Sequence, residues 1–248
     1  MVILHGLMGS SRNWTSAAQH LAGAHEVFAL DLRNHGHSPR HDRMDYEALC
    51  ADLESWVEQQ GWASFHLLGH SLGGKVAMRY ACRHPGRLES LVVVDIAPKK
   101  YPPHYRGILQ AMAALDLEDL PSRKEAGEAL QAIVPDWALR QFLLTNLERA
   151  NDGRWFWAAH LPVILEHLDT LSASPLREED QSLTPSLFVR GDLSDFIRTT
   201  DASLIKNHFP RSRLITLPGA GHNPHVEKRD HFTKAVLSWR EDDWSCDV

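Results

Sequence analysis

One pentapeptide restricts this chain more than any other stretch. Gly69-His70-Ser71-Leu72-Gly73 is a G-x-S-x-G pattern set between the apolar run Phe65-His66-Leu67-Leu68 and a helical stretch from Lys75 to Arg83. A serine in so tight a strand-to-helix turn needs small neighbours, because larger side chains beside it would clash. The spacing therefore predicts a strained backbone at Ser71 and a hydroxyl held at the carboxyl end of a strand, over a helix N-terminus. An ordinary glycine-rich turn would satisfy the five letters alone. The strand before and the helix after make an activated nucleophile the better reading.

The surroundings fit a sheet that can carry such a turn. Short β-rich runs at 2–4, 26–31, 64–68, 90–95, 186–190 and 213–217 alternate with helical patterns near 11–22, 45–60, 72–84, 199–208 and 226–240. Alternation of this kind predicts an α/β fold with a mostly parallel sheet flanked by helices. Runs such as Leu91-Val92-Val93-Val94 are apolar at consecutive positions, as expected of strands covered on both faces. The rhythm breaks between 98 and 184, where the pattern reads as helical throughout. We expect a helical cap there, dividing the chain into a first core part at 1–97, an insertion at 98–184 and a second core part at 185–248. Trp137, Phe142, Trp155, Phe156 and Trp157 within the insertion are expected to pack it onto the core or to line a pocket beneath it. Met1 leads directly into a strand, although sheets of this type normally have strands before that point. N-terminal strands are therefore expected to be missing, leaving an exposed sheet edge. The tail 242–248 is expected to be frayed or exposed.

Two further motifs complete a reaction centre. His5-Gly6-Leu7-Met8-Gly9-Ser10 follows the first strand, where a loop can supply one backbone N–H to a developing oxyanion, the residue after the nucleophile supplying the other. The expected donors are Leu7 and Leu72. Near the C-terminus, Gly219-Ala220-Gly221-His222 follows the last strand, the position for a general base that takes the proton from Ser71 and returns it to a leaving alcohol. A carboxylate must orient that histidine. Asp95 and Asp195 each lie at or near a strand end that could reach it, Asp192 is a weaker third, and Asp31 reads as structural, organising the Arg33-Asn34-His35-Gly36 loop.

Together with Asp31-Leu-Arg-Asn-His-Gly-His-Ser38, these motifs resemble those of α/β-hydrolases. Val93-Val94-Asp95-Ile96-Ala97-Pro98, Arg140-Gln-Phe-Leu-Leu-Thr-Asn-Leu147 and the stretch from Gly221-His222 to Glu227-Lys228 are similar to the YbfF-type bacterial esterases and their mitochondrial α/β-hydrolase relatives. That resemblance runs from about residue 2 to residue 240 and includes the insertion. It implies an α/β-hydrolase fold and a serine carboxylesterase acting on small to medium acyl esters, thioesters such as acyl-CoA included, with no cofactor. It also implies that the acid is Asp95, after the strand following the elbow, with Asp195 as the alternative. The chain departs from the branch at Asn223, where an aromatic residue usually follows the histidine.

Composition narrows the partners. The formal net charge is -6, with no block of consecutive Lys and Arg, so the basic footprint of nucleic-acid binding is missing. No apolar run approaches the ~18 residues of a membrane span and no signal-peptide layout opens the chain, which makes the cytoplasm the expected compartment. Cys50, Cys82 and Cys246 are widely spaced and read as isolated thiols. Neither His35 with His37 nor His222 with His225 has the helical spacing that places two imidazoles on one zinc, so no metal is expected. The expected partner is a small ester or thioester, and the expected state a monomer or homodimer. Three alternatives stand beside the esterase: carbon–carbon bond hydrolysis or aminopeptidase chemistry on the same residues, and a non-catalytic binding protein.

Overall fold

The structure is a computed structural model and describes residues 1–239. The tail from Asp242, with Cys246, lies outside the described residues. In chain order the first half holds β1 (Val2–Leu4), α1 (Thr15–Leu21), β2 (Phe28–Leu30), α2 (Tyr46–Gln60), β3 (Phe65–His70), α3 (Leu72–Arg83) and β4 (Leu88–Val94). Then come α4 (Arg106–Ala113), α5 (Arg123–Leu130), α6 (Trp137–Leu144), the short strands β5 (Leu147–Arg149) and β6 (Trp155–Trp157), α7 (Leu161–Glu166) and α8 (Leu168–Ser172). The chain returns to the sheet with β7 (Ser186–Gly191), α9 (Ala202–His208), β8 (Ser212–Leu217), α10 (Pro224–Glu227) and α11 (Arg229–Ser238).

Six strands form one sheet in the order β2-β1-β3-β4-β7-β8, every neighbouring pair parallel. The period-2 alternation of a strand sorts its side chains to two faces. Val2, Leu4, Leu67, Val93 and Phe188 join a core with α2, α3 and the segment between β4 and β7. Ile3, Leu68, Val92, Val94 and Val189 pack on the other face against Trp14, Leu21 and Phe232 of the α1 and α11 layer. Apolar residues at consecutive positions follow from this double cover. The α/β class and the parallel sheet expected from the sequence are what the chain forms. No described helix is long and apolar enough to cross a membrane.

The segment between β4 and β7 is not helical throughout. Its β5 and β6 pair antiparallel, Leu147 opposite Trp157 and Arg149 opposite Trp155. The turn between them contains Asn151-Asp152-Gly153, with Gly153 at φ +89°, and the aromatic run 155–157 favours extended backbone. The aromatics divide: Trp157 joins the core with Phe142 and Trp155 packed against it, as expected, and Trp137 and Phe156 are exposed. Trp157 is buried and donates its indole N–H to the Met112 carbonyl at 3.1 Å, whereas Trp137 is 67% exposed. Other boundaries shift for local reasons. The stretch 11–22 begins as a 3-10 turn, Ser11–Trp14, and the last helical pattern breaks at Lys228 into α10 and α11.

Candidate active site

The site is assembled at the carboxyl ends of β3, β4, β7 and β8. Ser71 joins β3 to α3 with φ 49° and ψ -115°, a region L-residues rarely occupy. Neighbouring glycines permit it: a Cβ on Gly69 would lie 2.3 Å from the Gly73 carbonyl oxygen, and one on Gly73 would lie 2.4 Å from that of Leu4. The Ser71 N–H still reaches the Val94 carbonyl at 3.1 Å, so the turn is strained yet tied to the sheet.

The Ser71 hydroxyl lies 3.1 Å from Nε2 of His222, and Nδ1 of His222 lies 2.8 Å from Oδ2 of Asp95. Asp95 is fully buried, one residue beyond β4, at φ 50°. Its other contacts are the Gly191 N–H at 3.1 Å and the Ser194 hydroxyl, which donates to Oδ2. Three donors around one buried carboxylate satisfy oxygens that burial would otherwise leave unpaired. Asp195 goes elsewhere: its side chain is 92% exposed and faces Arg198 at 3.6 Å. Asp192 accepts the Gly219 N–H at 2.7 Å and so shapes the loop that carries the histidine. Asp31 accepts from the Ser11 and His37 amides, bracing two loops at the back of the site.

Leu7 and Leu72 border the same pocket as Ser71. Leu72 opens α3, so its N–H has no partner within the helix and points out of the N-terminus. The Leu7 loop is fastened from several sides. The Gly73 N–H donates to the His5 carbonyl at 3.1 Å, and Asn146 between α6 and β5 donates to the Met8 carbonyl at 2.8 Å. Nε2 of His35 accepts the Met8 N–H at 3.2 Å, and Nε2 of His5 accepts the Leu32 N–H at 3.0 Å. An accepting Nε2 leaves the proton on Nδ1, which donates to the Gly6 carbonyl from His5 and to the Arg33 carbonyl from His35. Burial disfavours the charged imidazole, lowering His5 below the ordinary range and His35 to about 3.

Sequence reasoning missed three supports around the base. Phe196, after β7, stacks on the His222 ring at 3.8 Å between centroids. Ser194 supplies the hydroxyl on Asp95. His70, the variable residue of the elbow, is buried and donates its Nε2–H to the His222 carbonyl at 2.8 Å, while a Cβ on Gly6 would lie 2.8 Å from its Nδ1. One imidazole thus buttresses both His222 and the loop that carries Leu7. Behind it His225 stacks on Trp14 at 4.0 Å. Burial lowers His70 well below the usual imidazole range and His225 to about 3. Asn223, where the resemblance breaks, donates its backbone N–H to Glu227 at 3.0 Å, and the same carboxylate accepts the Gly221 N–H at 2.5 Å. Glu227 was visible in the motif but not its work, which is to hold the loop around His222.

The pocket beside Ser71 has a volume of about 80 Å³. Its wall is Ile96, Tyr101, Tyr105, Leu168 and Leu171, so the tryptophans of the insertion, expected as candidate lining, do not border it. Lys75 is the cation among these residues.

Comparison with known proteins identifies the family. The α/β-hydrolase fold family model matches residues 1–229. The mouse protein named sn-1-specific diacylglycerol lipase ABHD11 is 38% identical, over 96% of this chain and 80% of its own length. Esterase YbfF of Escherichia coli K12 is 31% identical, over 98% of this chain and 93% of its own. The solved structure of a marine microorganism esterase superimposes with a TM-score of 0.92 at 37% identity, covering 96% of this chain and 93% of that one. The strained serine turn, the parallel sheet beneath it and these matches lead to one statement: this chain belongs to the α/β-hydrolase fold family, in company with relatives named as esterases and lipases.

Proposed function

We propose that the chain is a serine esterase that hydrolyses esters of small to medium uncharged acyl groups, thioesters included, through an acyl-enzyme on Ser71. The observation that carries this reading is the continuous relay from Ser71 through His222 to the buried Asp95, opening onto an apolar pocket. His222 accepts the hydroxyl proton as Ser71 attacks the acyl carbonyl, and Asp95 holds the ring with Nδ1–H directed at its carboxylate. The carbonyl oxygen, becoming an oxyanion, takes the Leu7 and Leu72 amides. His222 then gives the proton to the departing alcohol or thiol. Water, deprotonated by the same imidazole, releases the acid and restores Ser71. The names of the relatives support ester chemistry over the carbon–carbon and peptide alternatives.

Turnover of p-nitrophenyl esters, with a fluorophosphonate probe for the serine, tests the proposal. Ser71→Ala is expected to abolish labelling and lower kcat by about 10⁶-fold, the scale seen when a catalytic serine is removed. Strong labelling without ester turnover would instead favour another acyl substrate class. Neither signal would favour the non-catalytic binding protein.

A further inference from the structure

Helix α3 is buried along nearly its whole length, and its two buried cations are not used by the proposed chemistry. Lys75 sits one turn beyond Ser71, its own N–H on the Ser71 carbonyl at 3.0 Å. Its ammonium is 2.7 Å from the Ala173 carbonyl, 3.0 Å from that of Ser172 and 3.2 Å from that of Leu171, at the C-terminal end of α8. Three carbonyls within 3.2 Å take up the donors of this nitrogen, whose pKa burial lowers to about 7, so Lys75 is occupied as a fastening and is not presented to a substrate. The Tyr101 ring lies 5.0 Å from the same nitrogen. Arg79, the next turn of α3, continues the seam with Asp180 at 2.9 Å and the Pro175 carbonyl at 3.3 Å.

The fastened segment is the wall of the pocket. Leu168 and Leu171 of α8 face the cavity with the Lys75 stem, and the cavity of about 80 Å³ is far below the ~300 Å³ at the lower end of ordinary ligand pockets. The Tyr46 hydroxyl shares the load, donating to the Leu171 carbonyl and lying 3.3 Å from that of Ala173. Tyr101 links the seam to the catalytic base. Its N–H donates to the Ser172 carbonyl at 2.9 Å, its hydroxyl donates to the Phe196 carbonyl at 2.6 Å, and Phe196 covers His222.

We infer that Lys75 is a specificity-determining strap: by pinning the carbonyls of residues 171–173 to the nucleophile helix it holds the acyl pocket short, so that the enzyme selects short acyl groups and long chains fit only when the strap is released. The inference rests on the esterase reading above. Lys75→Met keeps the apolar stem and removes the donors. Each carbonyl keeps a second partner in Tyr46 or Tyr101, so the wall is loosened and not dismantled.

The experiment compares kcat/KM for p-nitrophenyl acetate, butyrate, octanoate and laurate in the wild type, Lys75→Met and Tyr46→Phe, with melting curves to confirm folding. The wild type should prefer acetate or butyrate. Lys75→Met should lower kcat/KM for acetate by about tenfold, mostly through KM, and raise it for octanoate, the scale following from lost buried hydrogen bonds. Tyr46→Phe, which leaves the ammonium in place, should shift the profile in the same direction by less, and it carries the test if Lys75→Met does not fold. Parallel chain-length profiles in the wild type and the folded variants would overturn the strap while leaving the esterase reading intact. Absence of turnover of every ester by the wild type would overturn both.

Discussion

The two halves of the site are held by different means. On the chemical side, backbone does the positioning: Ser71 hangs from β3, Asp95 from β4, and loop amides are pinned by neutral imidazoles whose accepting nitrogens are fixed by backbone N–H groups. On the substrate side, the wall between β4 and β7 is held by long side chains reaching across from α3 and α2 to backbone carbonyls. Backbone constraints tolerate little variation, because a sheet register or a left-handed turn cannot be adjusted by degrees. Side-chain fastenings can be lengthened, shortened or lost singly. On the proposed reading, chemistry and selectivity are separable here, the first belonging to the sheet and the second to the insertion.

The largest effect that could break this separation is at the acid. Asp95→Asn should lower kcat by about 10⁴-fold, as loss of the orienting carboxylate does in serine proteases, with Asp195→Asn staying near wild type because its side chain is exposed and pairs at the surface with Arg198. Equal, mild losses in the two would mean that the backbone-held side has been misread.

Acid should come next, and it should strike the chemical side first. His5, His35, His70 and His225 are buried with lowered values, His35 and His225 near 3. The folded state then binds fewer protons than the unfolded chain below the ordinary imidazole value of about 6.5. Their contribution is fully present above that pH and is lost as pH falls toward 3, at up to about 1.4 kcal/mol per pH unit for each imidazole. Urea unfolding midpoints at pH 7.5 and pH 5 measure the loss. Hydrogen exchange should show the loops around His5 and His225 opening before α4 and α7, and simultaneous opening would merge the two regions.

Smaller effects sharpen the contrast. Ser194→Ala removes one of three donors to Asp95 and should cost about tenfold in kcat, with KM nearly unchanged, as expected for a hydrogen bond to a charged group. Trp157→Phe should cost about 1 kcal/mol of stability by removing the indole hydrogen bond to the Met112 carbonyl, which keeps the Leu115 N–H, while kcat on the shortest ester stays within about twofold. A large kcat loss there would show that the insertion takes part in the chemistry.

What the sequence made legible follows the same division. The elbow, the oxyanion loop and the histidine turn were readable because glycine at fixed offsets is a backbone requirement that leaves a mark. The choice between Asp95 and Asp195 was not readable from residues alone, since both sit at or near a strand end; in space Asp95 is buried and meets His222 at 2.8 Å, and the Asp195 side chain is exposed. The β5–β6 hairpin escaped a reading that took its tryptophans as helical packing, although Asn151-Asp152-Gly153 signalled a turn. Lys75 had a faint signal, a lysine inside the otherwise tightly apolar Gly73-Gly74-Lys75-Val76-Ala77-Met78. Its three carbonyl partners, almost a hundred residues away, had none.

The sheet register has a consequence for how such a molecule can diversify. His70 and Val94 are paired across β3 and β4, and Ser71 and Asp95 are the next residue on each strand, both with positive φ. The proposed nucleophile and acid are thus gauged against each other by the spacing of two adjacent strands, about 4.8 Å. That ruler is read before the chain departs into the insertion and is indifferent to what the insertion contains. A different loop, longer or shorter, spliced between β4 and β7 would inherit a working gauge and need only rebuild the wall.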